Sequence, residues 1–381
     1  MKKFILVVLV IINCCFIVGC NKKNSNENVN NNSNGNANIN SNNNSNNNSN
    51  NNSSNNNQNN PPIDLGKYKI TLDLNGGYGV DNLIIKVNEN DSVSLPVPVK
   101  DGFSFVVWAL NDEIVNITKF EYSEDINLVA KYTGDLVKEG SQTFIYYGRY
   151  PQSSVTDIEL IDELLKLKKS TNSEYVKYKS REYLYFNDMF YEIELIKWKI
   201  IKVDISSYQL ISEKILDEKT FNDVSEDRTI EGELIRYTLY EYSSIRGWLN
   251  GYNFENYSLE NYSNNCFIEI AFSKQEKDRL QNININEEKN IFDKVSLAST
   301  DDIHENKLLL SKTAKLTDYA LEKAYNYNYL YNGTWWLRNE STDVAGNPFY
   351  ENFYINYLGD LYGTYGFAET AGVRPIIILS K

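Results

Sequence analysis

The chain has 381 residues, enough for two or three domains, with 13% aromatic residues, 29 tyrosines and a formal net charge of −13. That aromatic content can fill a packed core, while the negative charge disfavours nucleic acid and anionic lipid surfaces, both polyanions. Cys14, Cys15 and Cys20 fall in the first twenty residues and Cys266 stands alone, which excludes an internal disulfide framework in the body of the protein.

The chain opens "MKKFILVVLVIINCCFIVGC": two lysines, an apolar run from Phe4 to Val18 interrupted by Asn13, then Gly19 and Cys20. The run is short of the roughly 20 residues a spanning helix needs, and the pattern fits a secretory signal over residues 1–19. Ile17-Val18-Gly19-Cys20 resembles the lipobox of bacterial lipoproteins. The resemblance implies cleavage before Cys20, acylation of its sulfur and amine, and a membrane partner held by buried acyl chains at about 0.8 kcal/mol per CH₂. The expected location is extracytoplasmic, at the cell membrane or outer surface; loss of Lys2 and Lys3 would take the charge to −15 (−13 − 2). Residues 21–60 hold 25 Asn and 7 Ser among 40. Little there can be buried to repay ordering entropy, so residues 20–65 are expected to form a disordered tether, spanning roughly 35 Å root-mean-square.

Residues 66–133 read as a small β-rich module. "YKITLDL" alternates Ile70, Leu72 and Leu74 against Thr71 and Asp73 and runs into an Asn-Gly turn. "LIIKV", "VSLPV", "FSFVVWAL" and "INLVAKY" are expected as further strands, with a turn at Lys100-Asp101-Gly102. Tyr68 with "TLDLNGG", then "VSLPVPVKDGFSF", Trp108 and "INLVAKY", resembles one Listeria–Bacteroides repeat of bacterial surface proteins. This implies a β-grasp-like fold with Trp108 in the core and no chemistry. "FVVWAL" departs from that pattern, lacking a glycine before the tryptophan.

Residues 136–381 mix strand and helix patterns, which indicates one α+β domain. "TFIYYGRYPQ", "IELIKWKIIKV", "YQLIS", "DKVSLAS", "TWWLRN" and "VRPIIIL" are expected strands, with a tyrosine-rich hairpin before the last. "DIELIDELLKLKK" places Ile158, Ile161 and Leu165 at helical spacing, acids early and lysines late. A short helix is expected from Ser243 or Ser244 to Asn250-Gly251, a second from the Ser273/Glu276 capping box, and a third with Thr317 as cap. The stretches "YYGRYPQS", "ELIKWKII", "SSIRGWLNGYNF", "DKVSLAS", "TWWLRNES" and "GDLYGTYGFAETAGVRPIIIL", in this order, resemble a bacterial family known as domain of unknown function 6273. The resemblance implies a fold of the C-type-lectin-like and formylglycine-generating-enzyme group.

Adjacent strand residues point to opposite faces, so at least one of Trp335 and Trp336 is expected inside. Arg246, Trp248, Trp336, Arg338 and Arg374 are expected as structural signature residues, the arginines bracing loops through carbonyls or acids. Trp335 is carried as one possible ligand contact. The catalytic inventory is thin: His304 is the single histidine, in the acidic "STDDIHEN", expected as a solvated loop, with metal binding by Asp301, Asp302, His304 and Glu305 as the alternative. No glycine-rich phosphate loop is present, "AGNPF" lacks the acid of the lectin calcium motif, and Cys266 reads as a small buried hydrophobe without the cysteine motif of the related oxidases. No catalytic residue, metal or cofactor is therefore assigned. From Phe349 to Phe367, eight of 19 residues are Phe or Tyr, mixed with Asn and Gly, a composition suited to recognition loops. Tyr357, Tyr362 and Tyr365 are the expected ligand-binding residues. These readings converge on a non-catalytic, lipid-anchored surface module for a protein or glycan, with an architectural envelope protein or a formylglycine-generating-type enzyme as alternatives.

Overall fold

Alternation of apolar and polar residues draws the first segment into five strands: β1 (Tyr68–Asp73), β2 (Ile84–Val87), β3 (Phe105–Leu110), β4 (Glu113–Val115) and β5 (Ile126–Tyr132). The computed structural model describes residues 66–230, 232–252, 265–305, 312–324, 332–342 and 348–381. The expected signal, Cys20 and the tether lie outside the described residues. β1 pairs antiparallel with β2 and parallel with β5, and the inward residues Ile70, Leu72, Trp108, Phe120 and Leu128 form a core local to this segment. The turn after β1 has Asn75 and Gly76 at positive φ, as the Asn-Gly pair requires. "VSLPV" is not a strand. Pro96 and Pro98 remove the donors a ladder needs, and Pro96 instead offers its carbonyl to the Trp108 indole N–H at 2.9 Å. β4 escaped the sequence reading, although the Asn111-Asp112 turn before it, both at positive φ, is a hairpin signal.

The second segment adds β6 (Leu136–Glu139), β7 (Gln142–Ser154), α1 (Ile158–Thr171), β8 (Tyr175–Tyr178), β9 (Arg181–Phe186), β10 (Met189–Val203) and β11 (Ser207–Ser212). After it come β12 (Asp217–Thr220), β13 (Arg228–Ile230), β14 (Glu233–Ile235), α2 (Ser244–Asn250), α3 (Phe267–Ala271), α4 (Lys274–Arg279), β15 (Leu280–Gln281), β16 (Ile283–Asn286), β17 (Ile291–Asp293) and β18 (Val295–Leu297). The chain closes with α5 (Thr300–Glu305), α6 (Asp318–Lys323), β19 (Trp335–Thr342), β20 (Pro348–Ile355), β21 (Leu361–Thr364), β22 (Thr370–Val373) and β23 (Pro375–Ser380). The result is a mixed α and β structure dominated by strands. Among the described residues no helix is long and apolar enough to cross a membrane.

Two sheets organise these strands. A 14-stranded sheet runs β15-β23-β11-β10-β7-β6-β4-β3-β5-β1-β2, with β18 on β23 and the β8–β9 pair on β10. The link between the two segments is the parallel β4–β6 pair, where Glu113 faces Lys138 and the Lys138 N–H donates to the Asp112 carbonyl at 3.0 Å. A five-stranded sheet has the order β12-β22-β19-β20-β21.

Local sequence explains the helix ends. The Ser243 side chain caps α2 and Gly251, at φ 80°, stops it. Ser273 and Glu276 close a reciprocal capping box on α4, and Thr317 caps α6. The helix α1 forms as expected but turns a different face inward. Leu164 is fully buried with Leu160 and Leu167 against it, while Ile158 and Leu165 are exposed. The spacing 160, 164, 167 satisfies the helical repeat equally well, and the hairpin β8–β9 selects it by offering Val176 and Tyr183 to that side.

Candidate functional site

Trp335 and Trp336 are both fully buried, and the strand alternation sends them into different cores. Trp335 packs with Ile211, Ile215, Leu337 and Ile376, and its indole N–H donates to the Lys312 carbonyl at 2.9 Å. Trp336 lies in the main core with Trp198, Phe221 and Trp248, and donates to the Lys219 carbonyl at 2.8 Å. Trp335, carried from the sequence as a possible ligand contact, is thus enclosed with its donor satisfied. Its neighbour Trp336, equally buried, is the one that a cavity lining includes.

The arginines hold the scaffold. Arg246, buried on α2, makes two 2.7 Å bonds to the Asp293 carboxylate and donates to the Glu241 carbonyl at 2.6 Å. Arg374 is fully buried, donates to the Ser212 carbonyl at 2.9 Å and stacks 4.9 Å from the Trp335 ring. Burial pulls its guanidinium down to about 9, only partly offset by Glu213. Arg338 reaches the Leu297 carbonyl at 3.4 Å and the Asp302 carboxylate at 3.9 Å. Trp248 is buried against Phe267.

"STDDIHEN", expected as a loop, forms the short helix α5, because Ser299 and Asp302 cap each other: the Ser299 N–H donates to Asp302 at 2.8 Å and the Asp302 N–H to the Ser299 hydroxyl at 3.0 Å. Asp302 is committed to that cap and to Gln209, and His304 is exposed. Among the described residues no group of three His, Cys, Asp or Glu side chains could hold a metal ion. Cys266 is a free, fully buried thiol, and burial raises its pKa.

Each strand of the five-stranded sheet contributes to a cavity of ≈ 370 Å³. Glu218 comes from β12, Trp336 from β19, Tyr354 from β20, Thr364 from β21 and Ala371 from β22, with Glu369 at the exposed rim. Register explains the aromatic wall. Trp336 lies opposite Tyr354, and Tyr354 opposite Tyr362, so the three rings share one face. Trp336 and Tyr354 meet edge to face at 6.2 Å, and Tyr354 stacks on Tyr362 at 6.1 Å. This ladder leads from the cavity wall to Tyr362, which is 52% exposed. On the opposite face, Gly372 lets Ile215 of the Trp335 core pack close, since a Cβ there would meet Ile215 Cγ2 at 2.4 Å.

None of the three expected tyrosines lines the cavity; Tyr362 alone stacks on a residue that does, Tyr354. Tyr357 and Tyr365 are exposed as well, but neither lines it; Tyr365 packs on Phe367 at 6.0 Å. The turn between β20 and β21 is built by Asn356, whose side chain accepts from the Leu358 and Asp360 N–H groups, with Gly359 at φ 91°.

The residue that sequence reasoning missed is Glu218. It is 8% exposed, beside the fully buried Asp217. The two neighbours have different fates. Asp217 accepts from the Tyr150 hydroxyl at 2.5 Å and pairs with Lys323. Burial alone would raise its pKa, but Lys323, Lys219 and Tyr150 outweigh burial and hold it below the ordinary carboxylate range. Glu218 lines the cavity, and among the described residues no side chain pairs with its carboxyl. Burial first, and the Asp217 charge second, push it up to about 8, with Lys323 pulling partly back.

Residues 198–381 match the family described as domain of unknown function DUF6273. The match begins at Trp198 in β10 and takes in the whole five-stranded sheet and its cavity. No curated protein and no solved structure matches the chain.

Proposed function

We propose that this is a lipid-anchored extracytoplasmic surface protein, held at Cys20, whose C-terminal domain recognises a protein or glycan without catalysis. The observation that carries the recognition role is the cavity on the five-stranded sheet that Tyr354 and Trp336 help to line, with the exposed Tyr362 stacked on Tyr354 beside it. A pocket with aromatic walls and a few convergent polar groups is the usual form of a ligand site. The lipobox-like Ile17-Val18-Gly19-Cys20 supports the anchor, and the Asn-rich stretch suits a tether between membrane and body. A β-grasp-like assignment for residues 66–133 and a lectin-like one for 136–381 fit this role as display modules. The formylglycine-generating alternative is disfavoured by Cys266, a buried thiol whose burial opposes the thiolate that such chemistry uses.

The test uses the full-length protein in its cell. Fatty-acid labelling should mark the wild type and not Cys20→Ala. On glycan and protein arrays, the protein should retain a ligand that Tyr362→Ser loses at unchanged melting temperature. Equal labelling of both forms would remove the anchor. Arrays with no retained ligand would return the domain to an architectural role.

A further inference from the structure

We propose that the groove between residues 66–133 and the C-terminal domain, centred on Arg149, binds a carboxylate-bearing sugar. The proposal goes beyond the recognition role above, because this groove shares no lining residue with the cavity on the five-stranded sheet. Ligand sites favour such seams between packed units. The groove encloses ≈ 600 Å³, within the roughly 300–1,000 Å³ of small-molecule sites. Its walls come from distant parts of the chain. Phe103 follows the turn before β3, Arg149 belongs to β7, Tyr175 to β8, Ile193 to β10, and Gln275 to α4. Two contacts fix the wall from the first segment: a Cβ on Gly102 would come within 3.1 Å of the Gln275 Oε1, and the Arg279 guanidinium lies 5.6 Å from the Phe103 ring. Register fixes the other wall. Arg149 lies opposite Leu195 on β10, and alternation carries that face through Ile193 to Tyr191, then across Leu184 to Tyr175.

Charge points to the acid. Of the eight arginines, Arg181, Arg236, Arg246 and Arg338 meet carboxylates, and Arg228, Arg279 and Arg374 donate to carbonyls. Arg149, which is exposed, has no hydrogen-bond, ion-pair or ring partner among the described residues, although the chain carries 51 acids against 38 lysines and arginines. The two acids of its own groove are already matched. Glu182 pairs with Lys177 at 3.3 Å, and Glu276 accepts from the Ser273 N–H at 2.9 Å and the Gly148 N–H at 3.3 Å. Among the described residues the guanidinium is therefore the uncompensated charge of the lining. Its planar fork matches a carboxylate through two parallel bonds. The walls point to the sugar. Tyr175 is 50% exposed and Phe103 38%, so both offer ring surface to a pyranose face. Ser104, Asn265 and Gln275 bring donors and acceptors that suit ring hydroxyls. Exposed rings among small, adaptable polar side chains are the composition of recognition surfaces.

The experiment is calorimetric titration of the full-length protein, freed of its anchor by detergent, with trigalacturonate, its full methyl ester and a triaspartate peptide. The expected result is binding of the sugar acid about tenfold or more tighter than its uncharged ester, as a bidentate charge-assisted pair provides. That preference should shrink as salt is raised. Arg149→Gln should remove it at unchanged melting temperature. Arg149→Lys keeps the charge without the fork, and should recover only part of it. Tyr175→Ser should weaken acid and ester alike, and Tyr362→Ser, beside the other cavity, should bind like wild type. Four results would each overturn the proposal: no binding of the sugar acid, an ester bound as tightly, Arg149→Gln keeping the preference, or a triaspartate peptide bound more tightly than the sugar acid, which would make this a peptide site. The array test above turns on Tyr362 and this one on Arg149, so the two readings fail separately.

Discussion

The Arg246–Asp293 knot beneath α2 and the Glu218 cavity on the five-stranded sheet both take charge into the interior, and they treat it in opposite ways. Under α2 every short contact is matched: the guanidinium grips both oxygens of Asp293 and a backbone carbonyl, and both side chains are shielded from solvent. On the sheet, Glu218 is also buried, at 8% exposure, but no side chain among the described residues pairs with its carboxyl. The difference separates a buried charge matched from within the chain from a buried acid that the fold holds neutral by raising its pKa.

Breaking the knot should have the largest effect. Arg246→Ala or Asp293→Ala strands a buried charge and should cost about 3–5 kcal/mol in urea unfolding, while the double substitution costs less than the sum. A loss below about 1 kcal/mol in either single variant would show that the pair is not the brace described. Trp335→Ala should cost a comparable or slightly smaller amount, about 3–5 kcal/mol, through the cavity it leaves in a closed core. Loss of ligand binding by that variant without loss of stability would return Trp335 to the site.

The cavity side of the comparison is sharpened by Glu218→Gln. The Glu218 pKa lies near 8 folded against an ordinary 4.5, so the folded state holds the proton more tightly. Its stabilising contribution is complete below about pH 4.5 and is lost progressively as pH rises from there through 8. Urea unfolding from pH 5 to 9 should show wild type losing stability relative to Glu218→Gln across that window; parallel curves would refute the assignment. The smallest effect belongs to the hairpin surface. Tyr357→Ser and Tyr365→Ser should change stability by no more than about 0.5 kcal/mol in the same assay, because both rings are half exposed.

Much of the scaffold is legible in the sequence because its signals are local. Ser243 and Gly251 bound α2, Ser273 and Glu276 start α4, and Asn75-Gly76 turns β1. The mixed α and β character and the expected strands around Trp108, Trp198 and Trp335 rest on short-range patterns of the same kind. What escapes depends on partners distant in the chain. The buried face of α1 is chosen by the β8–β9 hairpin, and Pro96 spends its carbonyl on Trp108 instead of on a strand. Glu218 was hidden because "DEKT" reads as a solvated surface. The available clue was its setting: two adjacent acids between Ile215-Leu216 and Phe221 must point to opposite sides of any strand, and a strand covered on both sides buries both. Which acid gains a partner depends on Tyr150 and Lys323, and no local pattern reveals that.

The most direct test of the unpaired buried acid is the carbon-13 carboxyl titration of Glu218 in the full-length protein. The account predicts a midpoint near 8. A midpoint near 4.5 would show Glu218 already solvated or paired, and would contradict it.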